Sequence, residues 1–432
     1  MSKTSMGIVA LAAIILVGIG VAYAHPELQS AEPAMGAVVA TSPMQIRIIF
    51  NENVLPQFSG VDLKEQTGKT IATGKAATDP ANKKVLVVPI MEQLPLGDYR
   101  VEWHAVRRHS SRQGQLLLQR GSLMIELGLI IARFLHYAAI TTLAGASLFP
   151  LYAYADAEPW PLSRRRNSVL LAAAAVVLFS WVLWFVFAAA NMSGTLADIA
   201  DREMLWTVLH DTGFGEVWMA RTLLAVIVVA VILTRVSTAG ARKDLITPIL
   251  SAALLASLAG VGHSQIEDGR AGAIHIASDA VHLLAAGAWL GGLVPLGHLL
   301  LRGQAHGTSS TTDLDQVLFR FSGMGYIAVA TLAGSGLVNG WFLVGSVSSL
   351  FATPYGQLLV AKLAIFAGMS ALAAANRFWL VPSITKARSD GGSGAAWSTK
   401  LRNHVLGEQL LGLVLLLIVS ILGTMRPAIG QQ

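Results

Sequence analysis

The chain has 432 residues, of which 54% are hydrophobic and only 13% charged, with a mean hydropathy of +0.58. That is too little charge to clothe a soluble fold of this length, so the composition points to a membrane protein. The net charge of +6 lies mostly in short loops between apolar blocks, which argues for membrane topology and against a nucleic-acid partner. With no cysteine, disulfides and thiolate ligands are excluded, and a soft metal would have to use His, Met, carboxylate or a free amine.

Residues 1–24 read as a secretory signal peptide: Lys3, an apolar run from Ile8 to Val21, then the small-x-small box Ala22-Tyr23-Ala24. Cleavage after Ala24 would leave His25 as the mature N-terminus, with an α-amine that titrates near ~8 and an imidazole on the same residue. Those two nitrogens close a chelate ring on Cu(II). Pro26 has no amide proton to lose, so the next backbone nitrogen cannot join them.

Residues 25–121 have a β pattern. Met44–Phe50, Val85–Pro89 and Tyr99–Val106 alternate apolar and polar, and Pro, Gly, Asn and Asp clusters separate them. A small antiparallel sandwich is expected. His25-Pro-Glu-Leu, Glu32-Pro33-Ala34, Ile48–Val54, Phe58-Ser-Gly-Val61 and Leu96–Trp103 stand in the order that resembles the copper-resistance protein C (CopC) family. The resemblance implies a CopC-like, cupredoxin/Ig-like β-sandwich that binds copper in the periplasm, with the N-terminal His and a later Asp-x-His pair as Cu(II) ligands. This chain departs at the second half: it reads Arg107-Arg-His-Ser-Ser-Arg-Gln-Gly114, with no Asp. His109 falls nearest the missing Asp. His109 and His104 are the alternative partners of His25, and His104 also reads as an exposed strand residue opposite a core-facing Trp103.

Residues 125–432 carry eight apolar segments, at about 125–152, 168–190, 216–236, 245–263, 275–301, 319–345, 357–380 and 404–424. Each reaches or approaches the ~20 residues that cross a bilayer core. An all-α, eight-helix transmembrane bundle is expected. With the sandwich outside, every inner loop is rich in Lys and Arg, beginning with Arg164-Arg-Arg166, and the 191–215 loop is acidic and outer. Both the N-terminal domain and the C-terminus are then periplasmic.

The histidines are biased to the outer side of this topology: His136 in span 1, His263 at the end of span 4, and His275 and His282 in span 5. His275, Asp279 and His282 are spaced i, i+4, i+7 and share one helix face. Ionisable groups in a span usually face the bundle interior or an aqueous cavity, and two imidazoles with a carboxylate suit a borderline metal. An interfacial, merely solvated position is the alternative for His275 and Asp279. Arg133, Arg221 and Lys362 lie near outer span ends, where snorkelling is expected. Glu408 and His404 read as an i, i+4 pair, and Met192, Met204, Met219 and Met324 as apolar filler.

Asp279-Ala-Val-His-Leu-Leu-Ala-Ala-Gly-Ala-Trp-Leu-Gly-Gly-Leu293, Gly334–Trp341, Pro354–Lys362 and Asn376-Arg377 resemble the copper-resistance protein D (CopD) family. The resemblance implies an inner-membrane protein of copper uptake or tolerance, here fused to the C module. The reading is therefore a copper-binding protein of copper homeostasis that captures periplasmic copper and imports it through a His-lined cavity. The candidate metal residues are His25, His109, His136, His263, His275, Asp279 and His282. Its expected partners are the copper ion, the lipid bilayer and periplasmic copper chaperones, with no nucleic acid. No Walker motif appears, so no nucleotide is expected, and no motif suggests an enzyme. The alternatives are a haem b electron-transfer protein, with His136 and His282 as axial ligands, and a non-transporting anchored copper-binding or sensor module.

Overall fold

The computed structural model describes residues 28–33, 39, 41–65, 69–95, 99–107, 110–113, 120–155, 158, 160–193, 196–236, 244–261, 269–306, 311–390, 395–425 and 427–431. The signal peptide, His25, His109 and His263 lie outside them. The described residues pack as two units, one within 23–126 and 185–219, the other within 127–184 and 220–432.

The first unit holds the expected sandwich. Its strands are β1 (Leu28–Glu32), β2 (Gln45–Phe50), β3 (Gly60–Glu65), β4 (Thr70–Ile71), β5 (Ala77–Asp79), β6 (Asn82–Pro89), β7 (Tyr99–Arg107) and β8 (Ser110–Gln113). They form two antiparallel four-stranded sheets, ordered β1-β2-β6-β5 and β4-β3-β7-β8. Alternation does the sorting. Ile46, Ile48 and Phe50 of β2 point inward and meet Val61, Leu63, Leu86, Val88 and Ala105, with the Trp103 ring edge-on to Phe50 at 5.2 Å. Arg47 faces outward from β2 and pairs with Asp79 at 2.7 Å and Glu32 at 3.5 Å. The Arg47 contact and two backbone N–H groups hold the Asp79 carboxyl below the usual carboxylate range.

The 191–215 segment, read from sequence as an outer loop, holds a helix, α3 (Arg202–Asp211). Asp201 caps it by accepting from the N–H groups of Glu203 and Met204. Val208 of α3 and Ala189 share a buried cluster with Phe58 and Val106 of the sandwich. Met192 and Met204 pack against that cluster as apolar filler, as expected.

Among the described residues the α-helices are α1 (Arg120–Ala153), α2 (Trp160–Ser193), α3, α4 (Gly213–Val236), α5 (Ile246–Ala256), α6 (Gly269–Ala286), α7 (Gly292–His306), α8 (Thr311–Val344), α9 (Val347–Ala352), α10 (Pro354–Ala375), α11 (Val381–Ser389) and α12 (Ala395–Leu422). Among the described residues, seven helical stretches are long and apolar enough to cross a membrane. The expected eighth span, 245–263, is shorter than the rest. It is α5 followed by a 3-10 segment that ends at Gly260. Eleven α and four 3-10 residues rise only ~24 Å, against the ~30 Å of a bilayer core. Most of its side chains are buried.

Two π-helical turns interrupt the spans: Gly287–Gly291 joins α6 to α7, and Asn376–Leu380 joins α10 to α11. The first turn meets α1 at glycine. A Cβ on Gly145 would fall on backbone atoms of Gly287 and Gly291, and one on Gly291 would fall on the carbonyl of Thr141. The Gly-x-x-x-Gly spacing inside the CopD-like motif is thus a close helix crossing of the small-residue kind. Trp289, within the same turn, is 1% exposed and lies in the main core with Leu293, Leu296, Phe321 and Met369.

Candidate functional site

The α6 helix packs along α8, and the three predicted residues of α6 face that neighbour. His275 is 1% exposed, its ring parallel to Phe342 at 4.7 Å. Asp279 accepts a hydrogen bond from Asn339 Nδ2 at 3.2 Å. The Nδ1 of His282 lies 3.0 Å from Ser335 Oγ. Ser335 directs its own hydroxyl to the carbonyl of Thr331 at 2.6 Å, so it accepts from His282. The proton is thereby assigned to Nδ1, and Nε2 keeps the lone pair that a metal uses. Ser278 Oγ donates to the Ser335 carbonyl at 3.2 Å, a second polar tie between the helices.

These groups form a ladder and not a cage. Seven residues of helix separate His275 from His282 by ~10 Å along the axis. Among the described residues, no three of His, Asp and Glu are gathered as a metal-holding group. Lys362 of α10 acts electrostatically on both Asp279 and His282, and Asp279 acts on Tyr355. An ammonium is therefore within electrostatic reach of two of the three groups. Sequence reading placed Lys362 at the lipid interface, but it is partly buried and turned toward the ladder.

His136 is as deep as expected, at 1% exposure, but its surroundings differ from those of the ladder. It stands against Trp181 and Trp184, at 5.3 and 5.5 Å between ring centroids, and meets Ser180 Oγ at 3.1 Å. The Arg221 guanidinium acts on it electrostatically. Arg221, expected to snorkel, is itself 1% exposed and covers the Trp181 ring at 4.7 Å. Charge patterning alone did not separate a buried arginine from an interfacial one, because both lie a few residues inside an apolar run.

In the sandwich, His104 is not an exposed strand residue. It pairs with Gly60 across β3 and β7, and a Cβ there would approach its ring to 2.8 Å. Burial lowers its pKa below the ordinary imidazole value, with Asp62 opposing. At the other end of the bundle, Glu408 and His404 do not form the direct i, i+4 pair. Asn376, at the start of the second π turn, bridges them: its Nδ2 donates to Glu408 Oε1 at 2.6 Å, and its Oδ1 lies 2.9 Å from His404 Nδ1.

An antiparallel two-sheet sandwich, apolar helices of spanning length and a His/Asp face inside them define a multi-pass membrane protein with a separate β module. Comparison with known proteins names the family. Residues 28–114 match the CopC domain, residues 124–273 the copper resistance protein D-like N-terminal domain, and residues 315–422 copper resistance protein D. The chain is 33% identical over 308 residues to copper resistance protein D of Pseudomonas syringae pv. tomato, an alignment covering 69% of this chain and 96% of that one. It is 26% identical over 373 residues to copper transport protein CutJ of Bacillus subtilis (strain 168), covering 82% of this chain and 67% of the other. Copper resistance protein C of Escherichia coli is 37% identical over 92 residues, 20% of this chain and 71% of that protein. The chain belongs to the copper resistance protein D family, and its metal is copper.

Proposed function

We propose that this protein imports copper across the inner membrane, with the sandwich capturing the ion in the periplasm and the α6–α8 face carrying it inward. The observation that carries the reading is the ladder: His275, Asp279 and His282 all turn toward α8, and Nε2 of His282 keeps its lone pair. Rungs that each offer one ligand suit an ion in passage better than one in storage, because no single position holds it too tightly to leave. Lys362 offsets the Asp279 charge at rest and yields that role to the cation when one arrives. His25 is the capture ligand of the sandwich, with His109 as its candidate partner, and His263 is a further candidate ligand. Periplasmic copper chaperones would deliver the ion, and both termini of the mature chain face the periplasm.

The haem reading has less support: His136 is enclosed by two indoles, and His282 is tied to α8. The test is copper accumulation in cells that express the protein. His282→Ala should remove the copper-dependent increase while protein levels stay normal, and undiminished accumulation in that variant would sink the proposal.

A further inference from the structure

The α6–α8 face accounts for three ionisable groups of the bundle, but a second set is packed away from it. Arg221 of α4 is 1% exposed. Its Nη1 donates to Ser257 Oγ and its guanidinium covers Trp181, yet its Nε and Nη2 meet no partner. Arg133 of α1 lies over the Trp184 ring at 5.2 Å, with Nε and Nη1 also unmet. His136, one turn along α1 from Arg133, stands against the same two indoles. It spends Nδ1 on Ser180 and leaves Nε2 without a partner. The indole N–H of Trp181 is already committed to Thr222 at 2.8 Å. Tyr137 acts electrostatically on both guanidiniums. Among the described residues, neither arginine is ion-paired.

A buried cation without a counter-charge is among the costliest arrangements in a protein. A guanidinium, unlike an ammonium, does not escape it by losing a proton. Arg221 is such a group, and it acts electrostatically on His136, so its charge repels any metal ion offered to Nε2; Arg133, half-buried, lies one turn along α1. Both keep unused N–H donors beside an indole face, those of Arg221 by Trp181 and those of Arg133 by Trp184, and donors of that kind call for an anion. We infer that Arg133, Arg221 and His136 form a buried binding site for a small inorganic anion of the halide class. Indole, imidazole and guanidinium are already in contact, with 4.7–6.2 Å between their centres, so nothing as large as an organic acid fits among them and only a single small ion at the free N–H edges is left. His136 then belongs to this site and not to the copper route. The inference does not depend on the transport reading.

Trp181 and Trp184 report on the site directly. The full chain, purified in detergent without metal and held in gluconate at constant ionic strength, is titrated with iodide while tryptophan emission is followed. A saturable quenching phase is expected, displaced by chloride, absent in Arg221→Gln and shifted at least tenfold to higher iodide in Arg133→Gln. Quenching that is linear, indifferent to chloride and equal in the wild type and both variants would overturn the inference and assign the free nitrogens to water. If the variants do not accumulate, the wild type still decides. An unfolding midpoint that climbs with chloride at fixed ionic strength supports the site, and a flat one refutes it.

Discussion

The glycine crossing between α1 and the first π turn gives a prediction whose size follows from the geometry. In Gly291→Ala, the new methyl falls on the Thr141 carbonyl and lies 2.8 Å from the Gly145 Cα. Both obstacles are backbone, so no side-chain rotation relieves them, and the helices must part by on the order of 1 Å to restore ordinary contact. Overpacking of this kind costs ~3 kcal/mol at the upper end of its usual range. Alanine returns ~1 kcal/mol in helix propensity. A net loss of ~2 kcal/mol remains, about thirtyfold in the folding equilibrium. The control is Gly323→Ala in α8, whose Cβ would meet nothing within 4 Å; it should be neutral or slightly stabilising. Thermal unfolding of the detergent-purified variants reads the difference. If Gly291→Ala is as stable as Gly323→Ala, the small-residue crossing is not what holds α1 against the turn.

Three further outcomes are expected. Gly60→Ala should destabilise the sandwich by ~1–3 kcal/mol, because its methyl must displace the His104 ring; an unchanged unfolding midpoint would contradict this. Burial depresses the folded-state pKa of His104, so the unfolded chain binds more protons between that value and the ordinary ~6.5. The stability from its neutral ring is whole above about pH 6.5 and is lost as the pH falls below it, and His104→Gln should flatten the midpoint's dependence on pH across that window. Asn376→Ala removes both bridging bonds to Glu408 and His404 and leaves a buried carboxylate short of a donor, at a cost of ~1–3 kcal/mol. Asn376→Asp should be no better, since it keeps an acceptor for His404 but has no N–H to give Glu408.

The sandwich was legible because strand alternation survives in the sequence: Ile46, Ile48 and Phe50 announce β2 unaided. Strand β3 was less visible: Val61 and Leu63 alternate with Asp62 and Lys64, but the run is short and its place rests on pairing with β7. Burial and membrane insertion look alike in a hydropathy profile, and the short α5, the least extended of the eight apolar segments, carries both signals. The α6 ladder was visible as i, i+4, i+7 spacing. Its partners Ser335, Asn339 and Phe342 were not, because they come from α8 and only tertiary packing brings them near. The same limit hid the Asn376 bridge and the stacking of Arg133 and Arg221 on tryptophans. Neither π turn left a signal beyond glycine at both ends of the first.

The central claim is that copper meets this protein inside the membrane at the α6–α8 face. Its most direct test is the metal content of the detergent-purified protein after copper loading, measured alongside the visible spectrum for the wild type and for His282→Ala. The account predicts bound copper in the wild type, a marked loss in the variant and no Soret band in either. Equal copper in both proteins would remove His282 from the route, and a Soret band lost on substitution of His282 would make the bundle a haem protein instead.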